Sequence, residues 1–157
     1  MQLIDLLAPT RVRVDVQASS KKRLLEIAAA SLVDPGDDSD LERRIYDSLC
    51  ARERLGPTAL GHGVAIPHGR IAGLAAPAGT FLKLADALPF EAADGAPVDL
   101  VFALVVPEHF TQQHLILLSQ LAEMFSDTEF CTRLRNTPDS NELYKVLSEW
   151  QLAHLAA

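Results

Sequence analysis

The chain is poor in cysteine and aromatic residues and has no excess of basic residues. Its two cysteines, Cys50 and Cys131, stand alone without a paired metal-binding spacing, so we expect reduced thiols and no disulfide framework. Aromatic residues make up only 6% of the chain, so its apolar core must come chiefly from Ala, Leu and Val. The net charge of −7 leaves no basic footprint of the kind that nucleic-acid binding requires.

Long hydrophobic runs are missing as well. No stretch approaches the ~18 apolar residues of a membrane span. The pattern of a secretory signal peptide, a basic segment followed by an apolar run and a small-residue cleavage site, is not visible either. We therefore expect a cytoplasmic protein without membrane insertion. A chain of 157 residues fits a single domain, residues 1–157, that needs neither a disulfide nor a metal to hold its core.

Strand and helix patterns together predict an α/β fold. The strand patterns lie at residues 12–16, 58–60, 64–66, 80–84 and 98–106. The helical patterns lie at residues 20–33, 41–55, 111–125, 129–135 and 142–150. The segment 98–106 is apolar on both faces, which indicates a central strand. Because the elements do not alternate regularly, we predict a mixed β-sheet covered by helices on both faces.

Details of three helices are also predicted. Ser39 with Glu42 forms a capping box at the start of the second helix, and Asp139 with Glu142 forms one at the start of the last. The helix over 111–125 is expected to turn five apolar side chains inward: Leu115, Leu118, Leu121, Ala122 and Phe125.

The segment Gly61–Arg70, with the sequence GHGVAIPHGR, has the most informative pattern in the chain. Pro67 fixes its own φ and favours extended geometry at Ile66, and Gly69 allows a sharp turn because it has no Cβ. His68 is therefore expected at the end of a strand, on a backbone held in one shape. An imidazole in such a place can act as a nucleophile, a base or a ligand.

Cationic residues and a second histidine accompany this segment. Arg52 and Arg54 end the predicted second helix, and Arg70 follows His68 by two residues. His114 falls in the first turn of a predicted helix, where backbone N–H groups favour an anion, and adjacent loops would bring it to His68. Because guanidinium groups bind two phosphoryl oxygens at once, this set of residues favours phosphoryl transfer through a histidine.

Other chemistries fit the motifs poorly. The glycine spacing lacks the third glycine of a dinucleotide loop and the Lys-Ser/Thr ending of a P-loop, and there is no Gly-x-Ser-x-Gly. His62, His68 and His114 make a metal site conceivable, but no His-Glu-x-x-His pattern accompanies them. We therefore predict neither a metal nor a cofactor. A pure interaction module, in which His68 is never modified, stays as an alternative that leaves the clustering of Arg52 and Arg70 without a reason.

The stretch from Arg52 to Arg70 resembles the active-site segment of enzyme IIA proteins of the phosphoenolpyruvate-dependent phosphotransferase system, fructose/mannitol class. Within that class it is similar to the free-standing nitrogen-regulatory type. The resemblance continues through residues 3–7, 97–104, 114–122 and 133–144. It implies one enzyme IIA domain built on a mixed sheet, in agreement with the patterns above.

The resemblance also implies roles for individual residues. His68 would accept a phosphoryl group, on Nε2, from a small histidine-phosphocarrier protein. His114 would shape the pocket and hydrogen-bond the phosphoryl group, and Arg52 would be the active-site arginine. Four further residues are expected to support the phosphoryl group: Arg54, Thr58, Gly69 and Arg70. Such a protein is a phosphotransferase component that carries a phosphohistidine and turns over no free substrate.

Two functions are compatible with the resemblance. The first is a regulator in nitrogen- or potassium-related signalling, whose phosphorylated and free forms bind different targets such as transporters or sensor kinases. The alternative is a sugar-specific enzyme IIA that passes the group to a IIB subunit of a transporter. The chain shows no reactive-cysteine segment, which favours the regulator.

Two positions depart from the family pattern. Pro57 stands where a serine is common, which removes a hydroxyl ligand beside Thr58. His62 stands where an asparagine is common, which predicts a third imidazole near the site.

Overall fold

A computed structural model describes residues 3–154. The strands of the sheet, in chain order, are β1 Val12–Val16, β2 Ala59–Gly61, β3 Val64–Ala65, β4 His68–Ile71, β5 Ala78–Leu88 and β6 Val98–Pro107. The α-helices are α1 Lys21–Ser31, α2 Leu41–Leu55, α3 Gln112–Ser126, α4 Thr128–Arg135 and α5 Ser140–His154. Short 3₁₀ helices at Leu3–Leu6 and Pro9–Arg11 precede β1.

The strands form one mixed sheet in the order β1-β5-β6-β3-β2, with β4 also paired to β6. Strand β6 runs antiparallel to β5 and parallel to β3 and β4. Of its ten residues only Asp99 is not buried, because helices cover the sheet on both sides. The predicted mixed sheet and its central strand over 98–106 are therefore confirmed.

Alternate side chains of β6 enter two separate cores. Leu100, Phe102 and Leu104 pack with side chains of α3, α4 and α5 on one face. Val101 and Val105, with Ala103 between them, pack with α1 and α2 on the other. Each buried leucine or valine contributes about 1.5–3 kcal/mol relative to an exposed one, so both layers hold the sheet in place.

Two sequence predictions about the helices are wrong, and one is half right. Leu115 is exposed, because the buried face of α3 runs through His114, Leu117 and Leu121. Helix α2 begins after Asp40 without a side-chain cap, so the predicted Ser39–Glu42 box does not form. At α5, half of the predicted box is present, since the Glu142 N–H donates to an Asp139 carboxylate oxygen at 3.0 Å.

The short strand β4 lies where the sequence pattern predicts no strand. Its four residues pair in register with Leu104, Val105, Val106 and Pro107 of β6. This neighbour holds them extended, whereas their own alternation is too short to indicate a strand. Within residues 3–154, no helix is both long and apolar enough to cross a membrane.

Candidate active site

His68 begins β4 at the point where the chain rejoins the central strand. Ile66 and Pro67 link β3 to β4, and the Pro67 carbonyl accepts the N–H of Leu104 at 2.9 Å. Both short strands run parallel to β6, so the linking dipeptide is fixed at each end. His68 therefore follows one strand and starts the next, whereas the sequence pattern predicts a strand end.

A hydrogen bond fixes the orientation of the His68 ring. Its Nδ1 lies 2.8 Å from the carbonyl oxygen of Ile66, which can only accept, so we assign the ring proton to Nδ1. Nε2 then keeps its lone pair. Burial is the main cause that lowers the pKa of His68 below the ordinary value, and the positive charge of Arg52 lowers it further. The hydrogen bond to the Ile66 carbonyl and the negative charge of Glu53 act in the opposite direction. At neutral pH the ring is thus mainly the neutral, nucleophilic form.

His114 lies edge-on to His68, as the sequence predicts for a shared pocket. The two ring centroids are 5.3 Å apart, with an angle of 71° between the ring planes. Burial is the main cause that lowers the pKa of His114 to about 4, and the nearby charges of His68 and Arg70 lower it as well. The ring of His114 is therefore neutral at pH 7. Its buried Nε2 has no hydrogen-bond partner among the described residues. A ring nitrogen without a partner beside His68 can serve a group attached there.

Two open hollows meet at His68 and Arg52, which line both of them. The larger, of about 700 Å³, is also lined by Arg70, Glu108 and His114. The smaller, of about 410 Å³, is bordered by Pro57, Thr58, Leu60, Leu115 and Ser119. His68 is therefore reachable from two sides, next to a guanidinium group.

The two arginines at the end of α2 face different ways. Arg52 donates from Nη1 to the Gly56 carbonyl at 3.0 Å, and this contact holds it beside His68. Arg54 instead lines a separate hollow with Lys22 and Cys50. Arg52 and Arg54 are two positions apart in sequence, so their side chains leave the α-helix in directions that differ by roughly 200°. One arginine therefore reaches His68 and the other does not. Arg70 is exposed and lines the larger hollow.

Glu53 is a site residue that the sequence reasoning missed. The Thr58 backbone N–H donates to its Oε2 and the Thr58 hydroxyl to its Oε1, both at 3.0 Å, and Lys21 Nζ lies 3.6 Å away. The hydroxyl proton of Thr58 is thus already used within the protein. Thr58 fixes its loop and has no O–H left for the phosphoryl group. The sequence feature that could have indicated this role is an acidic residue between two arginines, a few positions before Pro57-Thr58.

Gly69 is needed for close packing between α2 and β4. It lies inside a strand, outside the left-handed region of φ, so the sharp turn predicted at this residue is wrong. A Cβ at position 69 would overlap the Ser48 hydroxyl oxygen and come within 3.2 Å of the Ser48 Cβ. The absent side chain lets the helix that carries Arg52 lie directly against the strand that carries His68.

Replacing Gly69 with alanine is expected to destabilise the fold by about 1–3 kcal/mol, the usual effect of overpacking. Urea unfolding of the single variant and of Gly69→Ala/Ser48→Gly measures it. Since the second change removes the side chain that the new methyl group meets, the double variant is expected to regain most of the loss. An equal loss in both variants would show that this contact is not the reason for the glycine.

His62 lies outside both hollows that border His68. Its φ of 57° is in the left-handed region, which asparagine also tolerates. Its N–H donates to Asp94 at 2.9 Å and its carbonyl accepts from Arg135 at 2.6 Å. The structure therefore does not place a third imidazole at the site.

His114 predicts a pH dependence of stability. An unfolded histidine titrates near 6.5, whereas the pKa of His114 in the fold is about 4. Between these values the unfolded chain binds a proton that the folded chain does not. Stability from this side chain is complete above pH 6.5 and is lost as the pH falls toward 4, by up to ~1.4 kcal/mol per pH unit.

Urea unfolding from pH 7.5 to 4 measures this loss, and His114→Gln is expected to flatten the curve. His62→Ala serves as the control because His62 lies in an exposed turn. An unchanged slope in His114→Gln would contradict the account of this side chain.

Among the described residues, no group of three His, Cys, Asp or Glu side chains is arranged to hold a metal ion. Of the polar side chains that line the larger hollow beside His68, the ring of His114 and the guanidinium groups of Arg52 and Arg70 suit an anion, and the Glu108 carboxylate is the exception. The chemistry that this arrangement supports is the attack of a neutral imidazole on an anionic, electrophilic group.

Comparisons with known proteins agree with this geometry. Residues 5–150 match the family described as "Phosphoenolpyruvate-dependent sugar phosphotransferase system, EIIA 2". A "Nitrogen regulatory protein" of Pseudomonas aeruginosa is 41% identical over 151 residues, which cover 96% of this chain and 97% of the relative.

Solved structures show the same likeness. Nitrogen regulatory protein IIA-Ntr from Neisseria meningitidis superimposes with a TM-score of 0.85 at 39% identity, over 92% of this chain and 98% of that one. IIA mannitol from Escherichia coli matches with a TM-score of 0.71 over 90% of this chain and 98% of that one. At 19% identity, the second match shows the fold alone.

Proposed function

Since the chain belongs to the EIIA 2 family of the phosphoenolpyruvate-dependent sugar phosphotransferase system, we propose that it is a cytoplasmic phosphoryl-carrying regulator. It accepts the phosphoryl group on Nε2 of His68 from a histidine-phosphocarrier protein. The observation that carries this proposal is the Nδ1 contact to the Ile66 carbonyl, because it leaves Nε2 as the nucleophile.

The transfer step exchanges one N–P bond for another. The Nε2 lone pair of His68 forms the new bond to phosphorus, while the electron pair of the donor's N–P bond returns to the donor nitrogen. The proton on Nδ1 stays in place, so positive charge grows on the ring as the bond forms. The Ile66 carbonyl oxygen faces that charge at 2.8 Å and stabilises it.

Two side chains beside His68 are suited to bind the transferring group. Arg52 offers a planar guanidinium group, which can hold two phosphoryl oxygens. His114 is neutral, so it does not repel the charged ring of His68, and its unpartnered Nε2 is available to the phosphoryl group. Arg70 adds a cation at the edge of the same hollow.

Exposed apolar side chains around His68 suit a protein partner. Leu55 is 84% exposed and lines the larger hollow, whereas Leu60 and Leu115, at 46% and 68%, line the smaller one. Ile116, half exposed, follows Leu115. Leucines turned to solvent around a reactive group are typical of a docking surface for a protein that delivers or reads the phosphoryl group.

The regulatory role is favoured over sugar transport by the relatives. Those at 37–41% identity carry the name "Nitrogen regulatory protein", whereas fructose- and mannosylglycerate-specific components match at only 25% and 30%. Phosphorylation adds about −1.5 to −2 charges beside the exposed leucines, enough to change which proteins dock there.

Partner capture tests the regulatory function. His68→Ala and His68→Asp proteins are used as bait in native lysate, because only the aspartate imitates the added charge. Different proteins retained by the two forms support the regulator. Identical sets, together with transfer of the phosphoryl group from the wild-type chain to a cysteine of a IIB subunit, would favour the sugar-specific alternative.

A further inference from the structure

We propose that Glu53 is a positioning residue for phosphoryl transfer, acting on His68 through Thr58 and Ile66. This inference rests on the proposed function of His68. The Glu53 side chain is only 6% exposed, although it lies at the end of a helix between two arginines. A carboxylate is withdrawn from water at such a place only when charged and polar groups surround it.

Three donors converge on the Glu53 carboxylate. Thr58 supplies its backbone N–H and its hydroxyl, each at 3.0 Å, and Lys21 on α1 supplies an ammonium group at 3.6 Å. The carboxylate thereby ties the end of α2 to the start of α1 and to the loop before β2. Thr58 is itself buried, so its donors have no ready replacement in water.

The contacts continue from Thr58 to the ring of His68. The Thr58 carbonyl accepts the N–H of Ile66 at 3.0 Å, and the Ile66 carbonyl accepts the ring proton of His68 at 2.8 Å. The acceptor that selects the tautomer of His68 is thus held by a residue that Glu53 anchors. A small displacement of that carbonyl alters the direction of Nε2, and misplacement of a reacting group by about 1 Å slows a reaction by up to ~10²-fold.

The charge of Glu53 acts on His68 as well. Charged and titratable groups reach His68 from α2 (Arg52 and Glu53), from α3 (His114) and from the larger hollow (Arg70 and Glu108). Burial is the main cause that lowers the pKa of His68, and the negative charge of Glu53 opposes it. Removing that charge therefore lowers the pKa further, so the acid limb of the transfer rate moves to lower pH.

Glutamine at position 53 tests the anchor with little change of shape. Its amide has one acceptor oxygen for three donors, and its NH₂ group faces the Thr58 N–H or hydroxyl. We expect transfer from the phosphorylated carrier protein to slow by about tenfold in Glu53→Gln and in Thr58→Val. The double variant is expected to be no slower than the slower single variant, because both changes break the same contact.

Two further variants serve as controls. Thr58→Ser keeps the hydroxyl and is expected to transfer within about twofold of wild type. Glu91→Gln removes an exposed carboxylate from the hollow that Lys21 and Glu53 also line, and is expected to leave the rate unchanged.

Imidazole ¹⁵N NMR of His68 supplies a readout that does not depend on transfer. In Glu53→Gln the titration of His68 is expected to move to lower pH, and in Thr58→Ser to stay. The positioning role would be overturned if Glu53→Gln transferred the phosphoryl group at the wild-type rate, or if the titration of His68 did not move in that variant. It would also be overturned if the losses of transfer rate in Glu53→Gln and Thr58→Val added up in the double variant. If the wild-type chain accepts no phosphoryl group, the proposed function fails, and the titration still decides whether Glu53 acts on His68.

Discussion

Replacing His68 with alanine is expected to abolish phosphoryl acceptance. The variant lacks the ring of His68, whose Nε2 is left free by a carbonyl partner on Nδ1 and which lies between two hollows. Incubation with the phosphorylated carrier protein, followed by intact mass spectrometry, is expected to show the acid-labile increment of one phosphoryl group in wild type and none in the variant.

His62→Ala is the matched control for this result. It also removes an imidazole from the Gly61–Arg70 segment, but from a turn that borders neither hollow. We expect it to accept the phosphoryl group as wild type does. Phosphoryl acceptance that persists in His68→Ala, or disappears in His62→Ala, would remove His68 from the centre of the account.

Replacing Arg52 with alanine is expected to slow transfer by about 10²-fold or more. Its guanidinium group lines both hollows next to His68, where negative charge on the transferring group must be held. Loss of one such electrostatic contact in an enzyme site typically reduces the rate about 10²–10³-fold. Rapid-quench measurement of transfer from the phosphorylated carrier protein gives the rate constant directly.

Arg54→Ala separates this effect from a general loss of positive charge. Both arginines belong to the last turn of α2, but Arg54 lines a different hollow, so the control is expected to transfer at nearly the wild-type rate. Arg52 also holds the Gly56 carbonyl, so thermal unfolding of each variant checks the fold. Equal rates in the two variants would make Arg52 an ordinary surface charge.

The architecture follows from sequence patterns that are long enough to be specific. The run over 98–106 has apolar residues at both odd and even positions, so both faces of the strand are apolar. This pattern indicates a strand covered on two faces and hence helices on both sides of the sheet. Strand β4 escapes such reasoning because its four residues are extended only by pairing with β6. The error at Leu115 is one of helical phase, since the buried face of α3 passes through Leu117 and Leu121 instead.

In the site too, some features follow from local sequence patterns, whereas others depend on contacts between residues far apart in the chain. The sequence predicts the closeness of His68 and His114 from adjacent loops, and in the structure it results from the pairing of β4 with the last residues of β6, shortly before α3 begins. The different directions of Arg52 and Arg54 also follow from the helical period alone, although the sequence reasoning grouped them. The role of Glu53 needs Lys21 and Thr58, which only the packing of α1 against the end of α2 brings together.

The measurement closest to the central claim is the position of the phosphoryl group on the ring. In the phosphorylated protein, ¹⁵N and ³¹P NMR distinguish the two imidazole nitrogens by their chemical shifts and by coupling to phosphorus. The Ile66 contact at Nδ1 predicts phosphorus on Nε2 of His68, with the proton kept on Nδ1. Phosphorus found on Nδ1, or on any other histidine, would contradict the account.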